Sequence, residues 1–188
     1  LGGTSALLFL IAGLLALTPL ALRSRPAWLL PGGGLVAASV LLGATELARA
    51  LAIGADPVWG HTVAGTLVAT TFMMARRGRD LAPGAVLAVA LLVGVALAAA
   101  ELSLPFAISA SPGPFPRAIE FVPFVLLLAV VTRRAHAGRW REDPLDAWSL
   151  VALTLLAGSH LLKARDIVPA AEAAMALAGA VLAAGHVG

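Results

Sequence analysis

Apolar residues fall into seven blocks separated by short polar links, over residues 5–22, 28–53, 58–75, 83–102, 116–132, 146–162 and 167–187. At about 1.5 Å rise per residue, such blocks match the ~30 Å hydrocarbon core of a bilayer. The pattern predicts an all-α, polytopic membrane protein of seven transmembrane helices, forming one domain over residues 1–188. Because the chain starts at Leu1 and ends beside the last apolar block, it is expected to be a fragment of a longer protein.

Composition agrees with burial in lipid. The chain is 60% hydrophobic and only 12% charged, about half the charge of a soluble domain. Cysteine is absent, which excludes disulfides, thiolate metal sites and cysteine nucleophiles. The 12 arginines and one lysine sit mostly in links, without the interleaved aromatics that bind single-stranded nucleic acid, so no nucleic-acid partner is expected. Alternate links differ in charge. One set carries nine basic residues (Arg23, Arg25, Arg76, Arg77, Arg79, Arg133, Arg134, Arg139 and Arg141) against four acids, and the other carries four against six. The arginine-rich side is expected in the cytoplasm, which places the N-terminus outside and the C-terminus inside a bacterial inner membrane.

Several local patterns refine this picture. Pro31-Gly32-Gly33-Gly34 predicts either a broken start to the second span or a tight helix contact. Trp28, Trp59 and Trp148 lie at span edges, where indoles anchor to headgroups. The last span is alanine-rich on every face, which suits the bundle interior or a protein partner.

The candidate chemistry gathers toward the outer leaflet. Glu46, Arg49, His61, Glu101, Glu120, His160 and Glu172 all occupy outer portions of their spans. Ionised groups in hydrocarbon are costly, so they pair, face the interior or snorkel. Glu46 and Arg49, three apart, are expected to pair. Thr62, Thr66 and Thr70 make a hydroxyl stripe on the third span. The candidate ligand-binding set is Glu46, Arg49, His61, Thr62, Thr66, Glu120 and His160, around a polar pocket open to the outside. The competing reading has the charges snorkel and each histidine bond a neighbouring helix. His61 and His160 on separate helices could also ligate haem, or a metal together with Glu120. No metallohydrolase, nucleophile-elbow or phosphate-loop motif occurs, and no enzymatic activity is expected.

The stretch Arg117-Ala-Ile-Glu120-Phe-Val-Pro123, followed by Arg139-Trp-Arg-Glu-Asp-Pro144-Leu-Asp-Ala-Trp148, resembles the seven-helix membrane-associated sensor domains of bacterial histidine kinases and diguanylate cyclases. The resemblance covers about 35 residues in two diffuse motifs. It implies a sensory input module that signals from an extracytoplasmic pocket to a cytoplasmic domain or partner. Two other functions fit the same sequence: a non-catalytic integral subunit of a respiratory or photosynthetic complex, packed through the last helix, and a small transporter. Membrane lipid is the partner common to all three.

Overall fold

A computed structural model describes residues 2–18, 26–51, 58–75, 88–89, 92–93, 96, 120–138 and 141–187. Six α-helices make up the described structure: α1 (Gly2–Ala16), α2 (Leu29–Ala50), α3 (Val58–Met74), α4 (Phe121–His136), α5 (Pro144–Ala164) and α6 (Val168–Val187). A 3-10 turn at Pro26–Trp28 leads into α2. Of these helices, α2, α5 and α6 are long and apolar enough to cross a membrane, and α1 is a shorter apolar helix. The expected span 83–102 lies outside the described residues, apart from the helical positions Ala88, Val89, Leu92, Val93 and Ala96.

The helix ends follow from local chemistry. Proline lacks a backbone N–H, so it is tolerated only where that donor has no intrahelical acceptor. Pro31, Pro123, Pro144 and Pro169 each sit in the first turn of their helix. Asp143 caps α5, its carboxylate accepting the Leu145 N–H at 3.0 Å. The α5–α6 reversal takes few residues because Asp166 adopts φ 60. There the Asp166 N–H bonds the Lys163 carbonyl at 2.8 Å and the Ile167 N–H bonds that of Leu162 at 2.9 Å. This is a Schellman closure, built on aspartate where glycine is more usual.

The six helices close a ring in chain order, each packed on its neighbours, with α6 returning to α1. Phe9, Leu35, Leu42, Leu67, Leu127, Leu153, Met175 and Leu182 fill its interior. Lipid supplies no hydrophobic drive between helices, so close van der Waals approach has to hold them. Glycine provides that approach at several crossings. A Cβ on Gly32 would meet Leu17 and Ala16, and one on Gly34 would collide with Thr71. The glycine run after Pro31 is therefore continuous helix used for contact, and α2 is not broken. A direct bond adds to the α1–α2 crossing, where the Ser39 hydroxyl donates to the Ala6 carbonyl at 2.8 Å.

Two expectations change here. The small-residue helix, α6, is not enclosed: Ala171, Met175, Ala178, Gly179 and Leu182 face the ring, while Ala170, Ala173, Leu177 and Ala184 are exposed. Trp28 is not a headgroup anchor. It is buried, edge-on to Phe72 at 5.5 Å and to His186 at 4.7 Å. Trp148 stays 44% exposed, and the Trp59 side chain lies outside the described residues.

Gly34→Val should destabilise the bundle by about 1–3 kcal/mol, the usual range for overpacking. Gly43→Val should leave stability near wild type, because a Cβ there meets nothing within 4 Å. Denaturant titration of both variants in micelles checks the pair.

Candidate functional site

At one end of the ring the chain buries a carboxylate. Glu120 is the N-cap residue of α4, and its side chain is fully buried without capping its own helix. It reaches sideways instead. The Thr62 hydroxyl of α3 donates to Oε1 at 3.1 Å, and His160 of α5 meets Oε2 through Nδ1 at 2.6 Å. Three helices thus share one hydrogen-bonded group. His160 lies one turn before the end of α5, Thr62 one turn after the start of α3, and Glu120 at the start of α4. Helices α3 and α4 therefore run in the same direction, and α5 runs against both.

The second ring nitrogen of His160 is the unusual feature. Nε2 is buried and has no hydrogen-bond partner. It rests against Gly65, where any Cβ would collide with the imidazole. Glycine at position 65 is what lets the ring fit between α3 and α5. Tautomer follows from donor accounting. If Glu120 were protonated and donated to Nδ1, the imidazole proton would sit on Nε2 as a buried donor with no acceptor. With the proton on Nδ1, donated to an ionised carboxylate, Nε2 keeps only an unused lone pair, which is the less costly arrangement. The buried Lys163 ammonium, one turn beyond His160, attracts Glu120 electrostatically and supplies the countercharge that an ionised carboxylate needs. Donor accounting thus puts the imidazole proton on Nδ1, facing Oε2 of Glu120.

The remaining sequence candidates divide. His61 is buried one turn before Gly65 on α3. Thr66 is buried too, but its hydroxyl donates to the Thr62 carbonyl at 2.8 Å, and Thr70 repeats the pattern with Thr66. The hydroxyl stripe therefore satisfies itself on its own helix, with Thr62 the member that reaches Glu120. Glu46 and Arg49 form the expected pair on α2 at 3.9 Å, with the arginine side chain 59% exposed. They occupy the rim, and the hydrogen bonds described for Glu120 come from α3 and α5. Glu101 lies outside the described residues, and Glu172 is half-buried on α6.

Nearby packing is dense. Phe9, Ala38, Leu42, Ala64, Gly65, Val68, Leu156 and Met175 enclose a space too small for a water molecule. A metal on Nε2 would need about 2 Å beyond that nitrogen, and Nε2 rests close against Gly65. Among the described residues, no three His, Asp or Glu side chains are grouped to hold a metal.

Sequence reasoning did not anticipate a second polar cluster at the opposite end. There Arg134 of α4 bonds Asp146 at 3.1 Å and the Ser149 hydroxyl at 2.8 Å, both on α5. Its guanidinium carbon lies 5.0 Å from the Phe72 ring centroid and 6.0 Å from that of Trp28. Arg133 donates to the Met73 carbonyl at 3.0 Å, closing the end of α3. The signal was present in an arginine that follows an apolar helix with an aspartate 12 residues on, but sequence alone could not choose among nine basic residues on that side.

No protein-family model matches the chain, and neither a curated protein nor a solved structure matches it.

His160→Leu alone should destabilise the bundle by about 1–3 kcal/mol, because it leaves a buried carboxylate oxygen of Glu120 without its donor. Replacing Glu120 by Leu and Lys163 by Met in the same chain, so that no charge is left without its partner, should recover most of that loss. Additive losses in a double-mutant cycle of Glu120 with His160 would mean that the two side chains do not form the coupled pair.

Proposed function

We propose that the chain is a membrane-embedded sensory input module of seven spans, with its N-terminus outside and its C-terminus in the cytoplasm of a bacterial inner membrane. The observation that carries this reading is the buried Glu120–His160 contact at 2.6 Å, shared with Thr62. As a stabilising device such a pair is poor, since well-packed apolar residues of similar volume often serve as well or better. An ionisable group at membrane depth is by default a functional feature, and this one sits where three helices meet.

The route for a signal is α4 with α5. Both are pinned at this end by Glu120–His160 and at the other by Arg134 with Asp146 and Ser149. Between the pins the contacts are apolar and non-directional, Leu127 and Val130 on α4 and Leu153 and Leu156 on α5. A change at the Glu120 pin therefore alters how the far pin seats against Trp28, Phe72 and His186, the last of these near the end of α6. A stimulus needs only to favour one seating by about 1–3 kcal/mol. The role is non-catalytic, and the responding partner would be a cytoplasmic domain or protein at the arginine-rich end.

Orientation in this reading comes from charge. Arg133, Arg134 and Arg141 lie at the end of α4 and before α5, and such clusters stay on the cytoplasmic side. The Glu120 group then faces the outer leaflet. One observation favours a second reading, an integral subunit of a larger complex: the exposed Ala170, Ala173 and Ala184 of α6 form a small-residue face suited to a partner helix.

Two measurements test the proposal. In intact cells, Asp166→Cys should react with an impermeant thiol reagent, whereas Glu142→Cys should react only after permeabilisation. For coupling between the ends, Trp28 serves as reporter once Trp59, Trp140 and Trp148 are replaced by Phe. Glu120→Gln should then shift Trp28 emission across the bundle. Emission unchanged by both Glu120→Gln and His160→Gln would overturn the input-module reading.

A further inference from the structure

We infer that the ligand of the Glu120 group is the proton, taken up at Nε2 of His160 from the outer side of the membrane. The inference rests on the reading of this group as the module's input and names what that input binds. It stands on three observations.

The first is a vacant acceptor. Nδ1 is committed to Glu120 at 2.6 Å, and Nε2 has no partner. The second is contact. Nε2 lies against Gly65, so closely that a Cβ there would meet the imidazole. A proton, handed over by water as α3 and α5 part, is the smallest ligand that this acceptor can take. The third is the consequence of binding. Proton uptake forms one N–H bond at Nε2 and turns the imidazole into an imidazolium. The new donor sits beside Gly65 without a partner, and a buried donor left unsatisfied costs free energy. The ring can satisfy it only by moving off Gly65, which separates α5 from α3. Uptake is thereby tied to a packing change, and that is what a signal requires.

Charges around the ring set the balance. Glu120 on α4 bonds the ring directly, and the buried Lys163 lies three residues beyond it on α5. Among the described residues, the other ionisable groups toward this end of the neighbouring helices include His61 on α3, Glu172 on α6, and Glu46 with Arg49 on α2.

The test uses the whole chain in lipid nanodiscs with nitrogen-15 histidine, the His160 signals being assigned by their loss in His160→Gln. At neutral pH, Nδ1 should carry a proton and Nε2 should not. On acidification Nε2 should gain one while the protein stays folded, and the emission of the Trp28 reporter should shift over the same pH range. Gly65→Ala, which drives the ring from its seat, should give the acid-form emission at neutral pH. Two results would overturn the proposal: Nε2 already protonated at neutral pH, or Nε2 bare down to the pH of unfolding. If either occurs while Trp28 still responds to Glu120→Gln, the input reading stands and only the proton is removed as its ligand. If His160 titrates with Trp28 unmoved in every variant, the proton site stands and the transmission is lost.

Discussion

A carboxylate buried among apolar helices dictates its own surroundings. Glu120 cannot be left in an apolar interior without donors and a countercharge, and the helices around it are positioned to supply them. Thr62 has to face α4, which sets the rotation of α3. His160 has to lie beside the first turn of α4, which sets the register of α5. Gly65 has to lack a side chain so that the imidazole can seat against α3. Lys163, on the same face of α5 as His160 but three residues on, follows into the interior. One acidic side chain thus fixes three helices relative to one another, which non-directional apolar packing cannot do alone.

The far end repeats the device with opposite charge. Arg134 is the half-buried cation, Asp146 and Ser149 are its partners on α5, and Phe72 and Trp28 offer ring faces to the guanidinium. Arginine suits this position because its planar group can hydrogen-bond and stack at once. Helix α4 is therefore held at both ends by charge and along its middle by leucine and valine. Polar contacts are directional and have a single best geometry, whereas apolar contacts tolerate small slides. A helix restrained in this way responds to a loosened end by pivoting about the other end.

Much of this was legible in the sequence. Each of the six described helices falls on an expected apolar block, and the first-turn prolines and Asp143 mark helix starts by simple backbone chemistry. Glu120 and His160 belonged to the expected outer group, because the cost of burying ionisable groups limits where they can stand, and Thr62 to the expected hydroxyl stripe. Their meeting was not legible. The Glu46–Arg49 pair followed from its three-residue spacing, but no spacing links residues 62, 120 and 160 on three different helices. Rotation about a helix axis separates rim from core, and a helix apolar on nearly all faces has no moment to announce it. The same limit hid Trp28. An indole at a span edge looks like a headgroup anchor, and only the contacts with Phe72 of α3 and His186 of α6 made it core. Thr66 and Thr70 misled for another reason, since a hydroxyl in a helix can bond its own backbone and need not face anything polar.

The contact between His160 and Gly65 shapes how the Glu120 group can respond. Whatever acts on this group has to displace the imidazole from α3 or act through the hydrogen bonds that join Glu120 to His160 and Thr62. Glycine contacts make loosening affordable, because at Gly34, Gly65 and Gly179 helices touch by backbone and side-chain surface without interlocking pairs of large residues. Such crossings can slide or part without forcing bulky rotamers through one another. The barrier between two seatings is then set mainly by the polar pins. Strength in those pins keeps the resting state well populated, and the charge they carry makes that state sensitive to a single added proton.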